Sequence, residues 1–400
     1  MPGRPTVASG VAGEGAGGAV AVVGAGPAGA RAAELLAAAG REVLLFDPRA
    51  PWEKACGGGI PIHALDHFPE LRELGPEGRW VERARLVAPG AGELDVEAAA
   101  PLLLVDRRIL SRFQLERAVA AGARHVPRRI REASPTPTGF RLVDDEGGGY
   151  DVGFVIGADG ASSRVRRLLS PALQPVQTPT RGRFVPIPRD AAAELVVSFR
   201  DGLPGYIWEF PRGETASVGV CHLEHGVARG ALETVLLEHI AEAGASADHP
   251  AYGHPIPLLR RGDHRRPERF GGPRWALCGD AAGLVDPITG EGIHYALRSG
   301  ELAARALLEE GTLAGYPDRL GADVLRELRI AHRYASRFYR HGFTRALIEV
   351  CRESPRMRRI LANVLAGRQS YASLRSRAIG ALLLDRVGLR PAVAVLRFVL

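Results

Sequence analysis

Apolar residues fall along the chain in short runs separated by glycine, proline and charge. The first, Val20 to Val23, precedes a glycine-rich turn, an Ala/Leu-rich segment ending near Gly40, and a second apolar run from Glu42 to Phe46. Two short apolar runs flanking a segment of helical length predict strand, helix, strand. Such a βαβ unit, about 30 residues long, implies a parallel sheet with its ligand beyond the carboxyl ends of the strands. Helical periodicity is lost from about Gly75 to Pro101, returns from Asp106 to Gly122, and gives way to an apolar strand, Val152 to Ile156, leading into a turn and a basic segment ending near Leu169. After Pro171, segments such as "AELVVSF", "GYIWEF" and "TASVGV" separated by Gly and Pro predict a separate antiparallel sheet. From Trp275 a strand, a glycine-rich turn and a helix return, and beyond about Gly311 the pattern is mostly helical.

These elements predict an α/β protein. A discontinuous nucleotide-binding domain covers 19–74, 102–170 and 265–315; a β-rich substrate domain covers 75–101 and 171–264; an arginine-rich helical cap covers 316–400; and 1–18 form a flexible leader. The 46% hydrophobic and 24% charged composition over 400 residues is that of a globular protein with a large core, which sets disorder aside. No run of about 18 apolar residues occurs, and Pro2 to Gly18 lacks the charged start and apolar middle of a signal peptide. The expected location is therefore cytoplasmic. Cys56, Cys221, Cys278 and Cys351 form no CxxC pair, so neither a disulfide framework nor a metal site is expected.

Charge changes the picture in one place. Net charge is +7, and residues 321–400 carry 16 Arg against 5 Asp plus Glu, or +11, leaving 7 − 11 = −4 for the rest. The basic tail fits either a solvated helical face or an anionic partner: a diphosphate-bearing substrate, or lipid at the inner face of a membrane. Nucleic acid is not expected, because no recognition motif accompanies the charge. Lys54 is the single lysine among the 52 basic residues.

Gly24-Ala25-Gly26-Pro27-Ala28-Gly29 is a GxGxxG between a predicted strand and helix. Gly24 and Gly26 permit a tight turn whose amides approach a pyrophosphate, Gly29 permits close helix–strand packing, and the helix N-terminus adds partial positive charge. Asp47, closing the second strand, is placed to accept hydrogen bonds from ribose hydroxyls. This pattern alone leaves FAD and NAD open. "GADGASSRVRR" (Gly157 to Arg167), with Asp159-Gly160 ahead of a basic helix start, resembles the DG motif of flavin monooxygenase-type proteins. "CGDAAGLVDPITGEGIHYA" (Cys278 to Ala296) supplies Asp280 for a ribityl hydroxyl and helix-start amides around Gly290 to Ile293 for the flavin's pyrimidine edge, where they would stabilise the negative charge of a reduced flavin. The three motifs together point to FAD in a Rossmann-like domain of the glutathione-reductase type.

"EKACGGGIP" (Glu53 to Pro61) and "GYIWEFP" (Gly205 to Pro211) resemble the Lys-x-Cys-Gly-Gly-Gly and Tyr-x-Trp-x-Phe-Pro signatures of geranylgeranyl reductases, within the p-hydroxybenzoate hydroxylase-like flavoproteins. With "VDRR" and "TGEGI" the resemblance touches segments from Ala21 to Ala296. It implies FAD contacts from Ala28, Asp47, Cys56, Gly57, Gly59, Arg107, Asp280, Gly292 and Ile293, with Ile130 on the adenine side. Arg107 would meet phosphate or ribityl oxygens. The glycine triplet lets the chain lie against a flat ring. Cys56 is either a small buried hydrophobe or a group near the reacting centre with a pKa lowered by Lys54. Tyr206 and Trp208, two apart on a strand, share a face as core aromatics or as the wall of an apolar tunnel. His294, after the flavin-facing turn, could donate a proton, although a helix histidine is more often structural or solvated.

The implied activity is reduction of a carbon–carbon double bond in a geranylgeranyl or related polyprenyl group. An isolated alkene accepts hydride poorly without protonation, so a buried acid is required, with Cys56, Tyr206 or a trapped water as candidates. NADPH or reduced ferredoxin is the candidate electron donor, because no second GxGxxG marks a nicotinamide domain. Two other classes stay open: a monooxygenase or halogenase of the same fold, and a non-catalytic flavin and isoprenoid carrier. The Trp-x-Trp-x-Ile-Pro element expected of a halogenase is absent from the sequence.

Overall fold

A computed structural model describes residues 18–400 apart from 189, 224–228, 245, 247, 340–341, 386 and 400; the expected leader lies outside the described residues except at Gly18. The nucleotide-binding layer is a six-stranded sheet. Its centre is the strand Val20–Val23, flanked in parallel by Val43–Phe46 on one side and Phe154–Gly157 on the other. Trp275–Leu277 continues it beyond Phe154–Gly157. All four residues of each of the three inner strands are buried, as continuous apolar runs require when helices cover both faces of a parallel sheet. The helix Pro27–Ala38 packs against the helix Ile293–Glu310 on one face; a Cβ on Gly300 would lie 2.1 Å from the Ala28 carbonyl, so the two backbones touch.

The second layer is an eight-stranded sheet. It was expected to be antiparallel, and one junction is not: Arg79–Ala88 runs parallel to Glu194–Ser198. The two strands come from different passages of the chain, so no hairpin turn dictates their direction. Two further elements were not foreseen. Ile130–Thr136, Gly139–Asp144 and Gly149–Val152 form a small meander, and the helix Arg229–Glu242 covers the outer face of the sheet through Leu232, Leu236 and Ile240. The helices from Val324 to Val399 lie over the strands Arg79–Ala88 and Gly92–Leu104, and a shared apolar cluster joins them. No helix among the described residues is long and apolar enough to cross a membrane.

Candidate active site

A cavity of about 1660 Å³ runs from the carboxyl edge of the parallel sheet to the space beneath the C-terminal helices. It exceeds the roughly 300–1,000 Å³ of a drug-sized ligand site, so it has room for a dinucleotide and a second molecule. At one end lie Gly24, Gly26, Ala28 and Asp47, with Ile130 and Asp159 nearby. Gly24 has φ +103°, and a Cβ there would sit 2.3 Å from the Ala158 carbonyl. A Cβ on Gly26 would meet nothing within 4 Å, so its bare face opens on the cavity. Gly29 is the one predicted contact that does not line the cavity; its Cβ would fall 1.8 Å from the Gly24 carbonyl, which makes it a packing position. Asp47 accepts the amides of Ala25 at 3.0 Å, Arg49 at 2.8 Å and Ala50 at 3.2 Å, and so locks the glycine turn to the second strand. Asp159 accepts Arg164 N at 2.6 Å and Val165 N at 3.1 Å, capping the helix Arg164–Leu169, and burial raises its pKa.

The middle of the cavity is built on the loop from Glu53 to Gly59. Lys54 Nζ meets Asp280 Oδ2 at 2.5 Å. Burial opposes ionisation of Asp280, and Lys54 reverses the balance and lowers its pKa. Burial also pushes the Cys56 thiol up, but Arg107 and then Lys54, with the Gly58 amide at 3.4 Å, bring it below the ordinary thiol value. Arg107 is 7% exposed and its Nε has no partner within the protein. An orphaned buried guanidinium nitrogen beside an open glycine turn fits an anionic or polar ligand such as FAD. The glycine triplet also has neighbours within the protein: a Cβ on Gly57 would strike the Phe210 ring at 2.4 Å, and one on Gly58 the Val105 carbonyl at 2.2 Å.

Sequence reasoning missed what holds this loop. Arg212, 1% exposed, pairs with Glu53 at 2.8 Å and Asp106 at 3.1 Å, and Glu53 also accepts the Arg108 amide at 2.7 Å. The only hint was the acid of "VDRR" and the Arg after "GYIWEFP". It missed as well that three tyrosines secure the loop before Ile293. Tyr206 donates to the Thr289 carbonyl at 2.5 Å, Tyr339 donates to the Ile288 carbonyl, and Tyr371 donates to Asp286 at 2.9 Å. Trp208 donates to Ser217 Oγ at 3.0 Å, and Ser217 donates to the Cys56 carbonyl at 3.1 Å, so both aromatics of the strand Gly205–Arg212 are tied to cavity-lining loops. Gly292 and Ile293 begin the helix Ile293–Glu310 at the cavity wall. His294 packs edge to face on His63 at 4.1 Å, and burial depresses its pKa to about 2, so it is neutral. His63, Glu291 and His294 bring ligand-type atoms within 4.8 Å of one another.

Beyond Trp208 the cavity turns apolar between sheet and cap, lined by Leu86, Val197, Phe199, Leu347, Met357 and Phe398. The chain is 34% identical to digeranylgeranylglycerophospholipid reductase 2 of Methanopyrus kandleri, over 75% of this chain and 80% of that one. It is 31% identical to the geranylgeranyl diphosphate reductase of Synechocystis, over 83% and 88%. The chain belongs to the geranylgeranyl reductase family of FAD-dependent oxidoreductases. A family model described as an NAD(P)-binding Rossmann-like domain matches residues 22–51. Among solved structures, a geranylgeranyl bacteriochlorophyll reductase-like protein of Thermoplasma acidophilum aligns with TM-score 0.71 at 20% identity, over 96% of this chain and 99% of that one. The flavin-dependent brominase Bmp2 aligns with TM-score 0.68 at 16% identity, over 92% and 98%, and shares the fold. In this geranylgeranyl reductase family member, Gly24, Gly26, the helix start at Ala28, Arg107 and the helix start at Gly292 to Ile293 are the groups that fit FAD.

Proposed function

We propose that the protein saturates carbon–carbon double bonds of a geranylgeranyl or related polyprenyl group. The observation that carries this reading is one continuous cavity, which passes from the glycine turn, past Cys56, into an apolar channel between sheet and cap. FAD, when bound and reduced, supplies the hydride. The chain supplies the rest. The apolar channel holds the prenyl chain and excludes water. Cys56 is the proton donor: it lines the cavity, and Arg107 and Lys54 lower its pKa. Tyr206 serves instead to position the flavin loop, because its hydroxyl proton already goes to Thr289 and burial raises its pKa well above the ordinary value. Trp208 walls the channel next to Cys56. NADPH or reduced ferredoxin is the source of electrons.

A lipid-borne substrate suits the outer end of the cap. Leu383 and Leu384 are 75% and 66% exposed at the end of the helix Tyr371–Leu384. The neighbouring helix Leu389–Val399 contributes Val395 and Phe398 to the cavity. Exposed leucines in an arginine-rich cap favour peripheral contact with an anionic bilayer from which the substrate is drawn.

The test is anaerobic incubation of flavin-loaded protein with a geranylgeranyl compound and dithionite, followed by mass spectrometry. Saturated product is expected, and Cys56→Ser should keep the flavin while losing about a hundredfold or more in rate. A strict need for oxygen would transfer the protein to the monooxygenase reading, and flavin that no alkene reoxidises would favour a carrier.

A further inference from the structure

The Glu291 carboxylate lies at the cavity wall, on the loop that leads into the helix Ile293–Glu310. It accepts the His294 amide at 2.7 Å and also faces the amide of Ile293. These are helix-start amides of the kind that suit the pyrimidine edge of a reduced flavin. Behind it stand His63 and His294, whose Nδ1 atoms are buried without a partner. The His63 ring lies close against Gly367, where a Cβ would come within 1.8 Å of its Nδ1. His67, exposed to solvent, lies with its ring 5.7 Å from that of His294. The mechanism above uses none of the four.

We propose that Glu291, backed by His63 and His294 and connected to solvent through His67, takes up a proton when the cofactor in this cavity is reduced and gives it back when the cofactor is reoxidised. The inference rests on the flavoprotein reading of the cavity. Two electrons and one proton added to an isoalloxazine leave one net negative charge, and a second proton on Glu291 cancels it within the buried site. The balance closes: hydride from the reduced cofactor and the Cys56 proton convert alkene to alkane, and the proton that Glu291 releases as the cofactor is reoxidised restores the Cys56 thiol.

The groups facing Glu291 fix the direction of the effect. Asp286 at the base of its own loop and Asp280 with its partner Lys54 are acidic or ion-paired; His63 and His67 come from the helix Ile62–His67; His294, Tyr295 and Arg298 lie on the helix that follows. Burial first, then Asp286 and Asp280, raise Glu291 to about 7 against the pull of the two amides. A new negative charge drawing on the same amides raises it further, so the carboxylate protonates on reduction at pH above 7. His63 and His294, held neutral by burial, add no charge of their own beside the carboxylate.

The experiment is a potentiometric titration of the flavin-loaded protein between about pH 7.5 and 9, native and Glu291→Gln. In the native protein the two-electron equilibrium constant should fall about a hundredfold per pH unit, equivalent to about 59 mV, and in E291Q about tenfold, or about 30 mV. Equal slopes in the two proteins overturn the proposal, whereas native protein that takes up no flavin overturns the reading beneath it. Should E291Q lose its flavin, proton uptake by the native protein is counted with an indicator dye during reduction at about pH 8. Two protons per two electrons uphold the proposal, and one overturns it.

Discussion

At Cys56 opposing forces act on one proton. Burial disfavours the thiolate, while Arg107, the larger of the two cationic influences, and Lys54 favour it. Replacing Arg107 by Met should therefore shift the pH dependence of iodoacetamide alkylation upward by more than replacing Lys54 by Met; the reverse order would show that the Lys54–Asp280 pair sets the acidity instead. Tyr206→Phe removes the donor to the Thr289 carbonyl, and the flavin should bind about fivefold more weakly, on the scale of one hydrogen bond, with alkene reduction retained. Complete loss of turnover with unchanged flavin affinity would return Tyr206 to the role of acid. Cys56 and Lys54 were legible as a short motif because both sit within a few residues of the glycines. Arg212 was not, since its partners Glu53 and Asp106 lie 159 and 106 residues away by number (212 − 53 and 212 − 106), and nothing local marks them.

At the level of elements, the glycines separate into two kinds. Gly24 and Gly29 serve backbone packing: the first has φ +103° against the Ala158 carbonyl, and the second abuts the Gly24 carbonyl. Gly24→Ala should cost about 1–3 kcal/mol from the strained conformation, with more from the clash, and should lower both the urea midpoint and the flavin content. Gly26→Ala clashes with no protein atom, so it should leave the apoprotein's unfolding midpoint unchanged and reduce flavin binding alone. In the cap, Val364 lines the cavity on the helix Pro355–Leu365, and Val364→Phe should shorten the prenyl chain accepted without changing the flavin absorbance. Helix Pro27–Ala38 and strand Val43–Phe46 were legible because glycines and apolar runs are local signals. The direction of Arg79–Ala88 against Glu194–Ser198 was not, because pairing of distant strands leaves no mark in either one.

For the molecule as a whole, several buried histidines couple folding to acidity. Burial lowers His63 and His254 to about 4, His264 to about 3 and His294 to about 2, from 6.5. A folded-state pKa below the unfolded value means that the unfolded chain binds more protons between the two, so stability is complete above about 6.5 and falls as pH drops toward 4. The thermal midpoint should follow that course, and His294→Phe should blunt the decline; a flat profile from pH 7 to 4 would contradict the burial of these rings. Leu383→Asp with Leu384→Asp should reduce turnover of bilayer-borne substrate and spare substrate in detergent. By itself the sequence determined the nucleotide-binding unit, its cofactor class and the family, because glycine spacing, strand runs and the Cys56 loop are chemistry written in adjacent residues. Only the tertiary structure decided which residues of the C-terminal helices line the cavity, that three tyrosines hold the loop before Ile293, and that Glu291 meets two histidines. Those depend on burial and on contacts between remote segments, where a side chain's partner and its protonation are set by what the fold brings beside it.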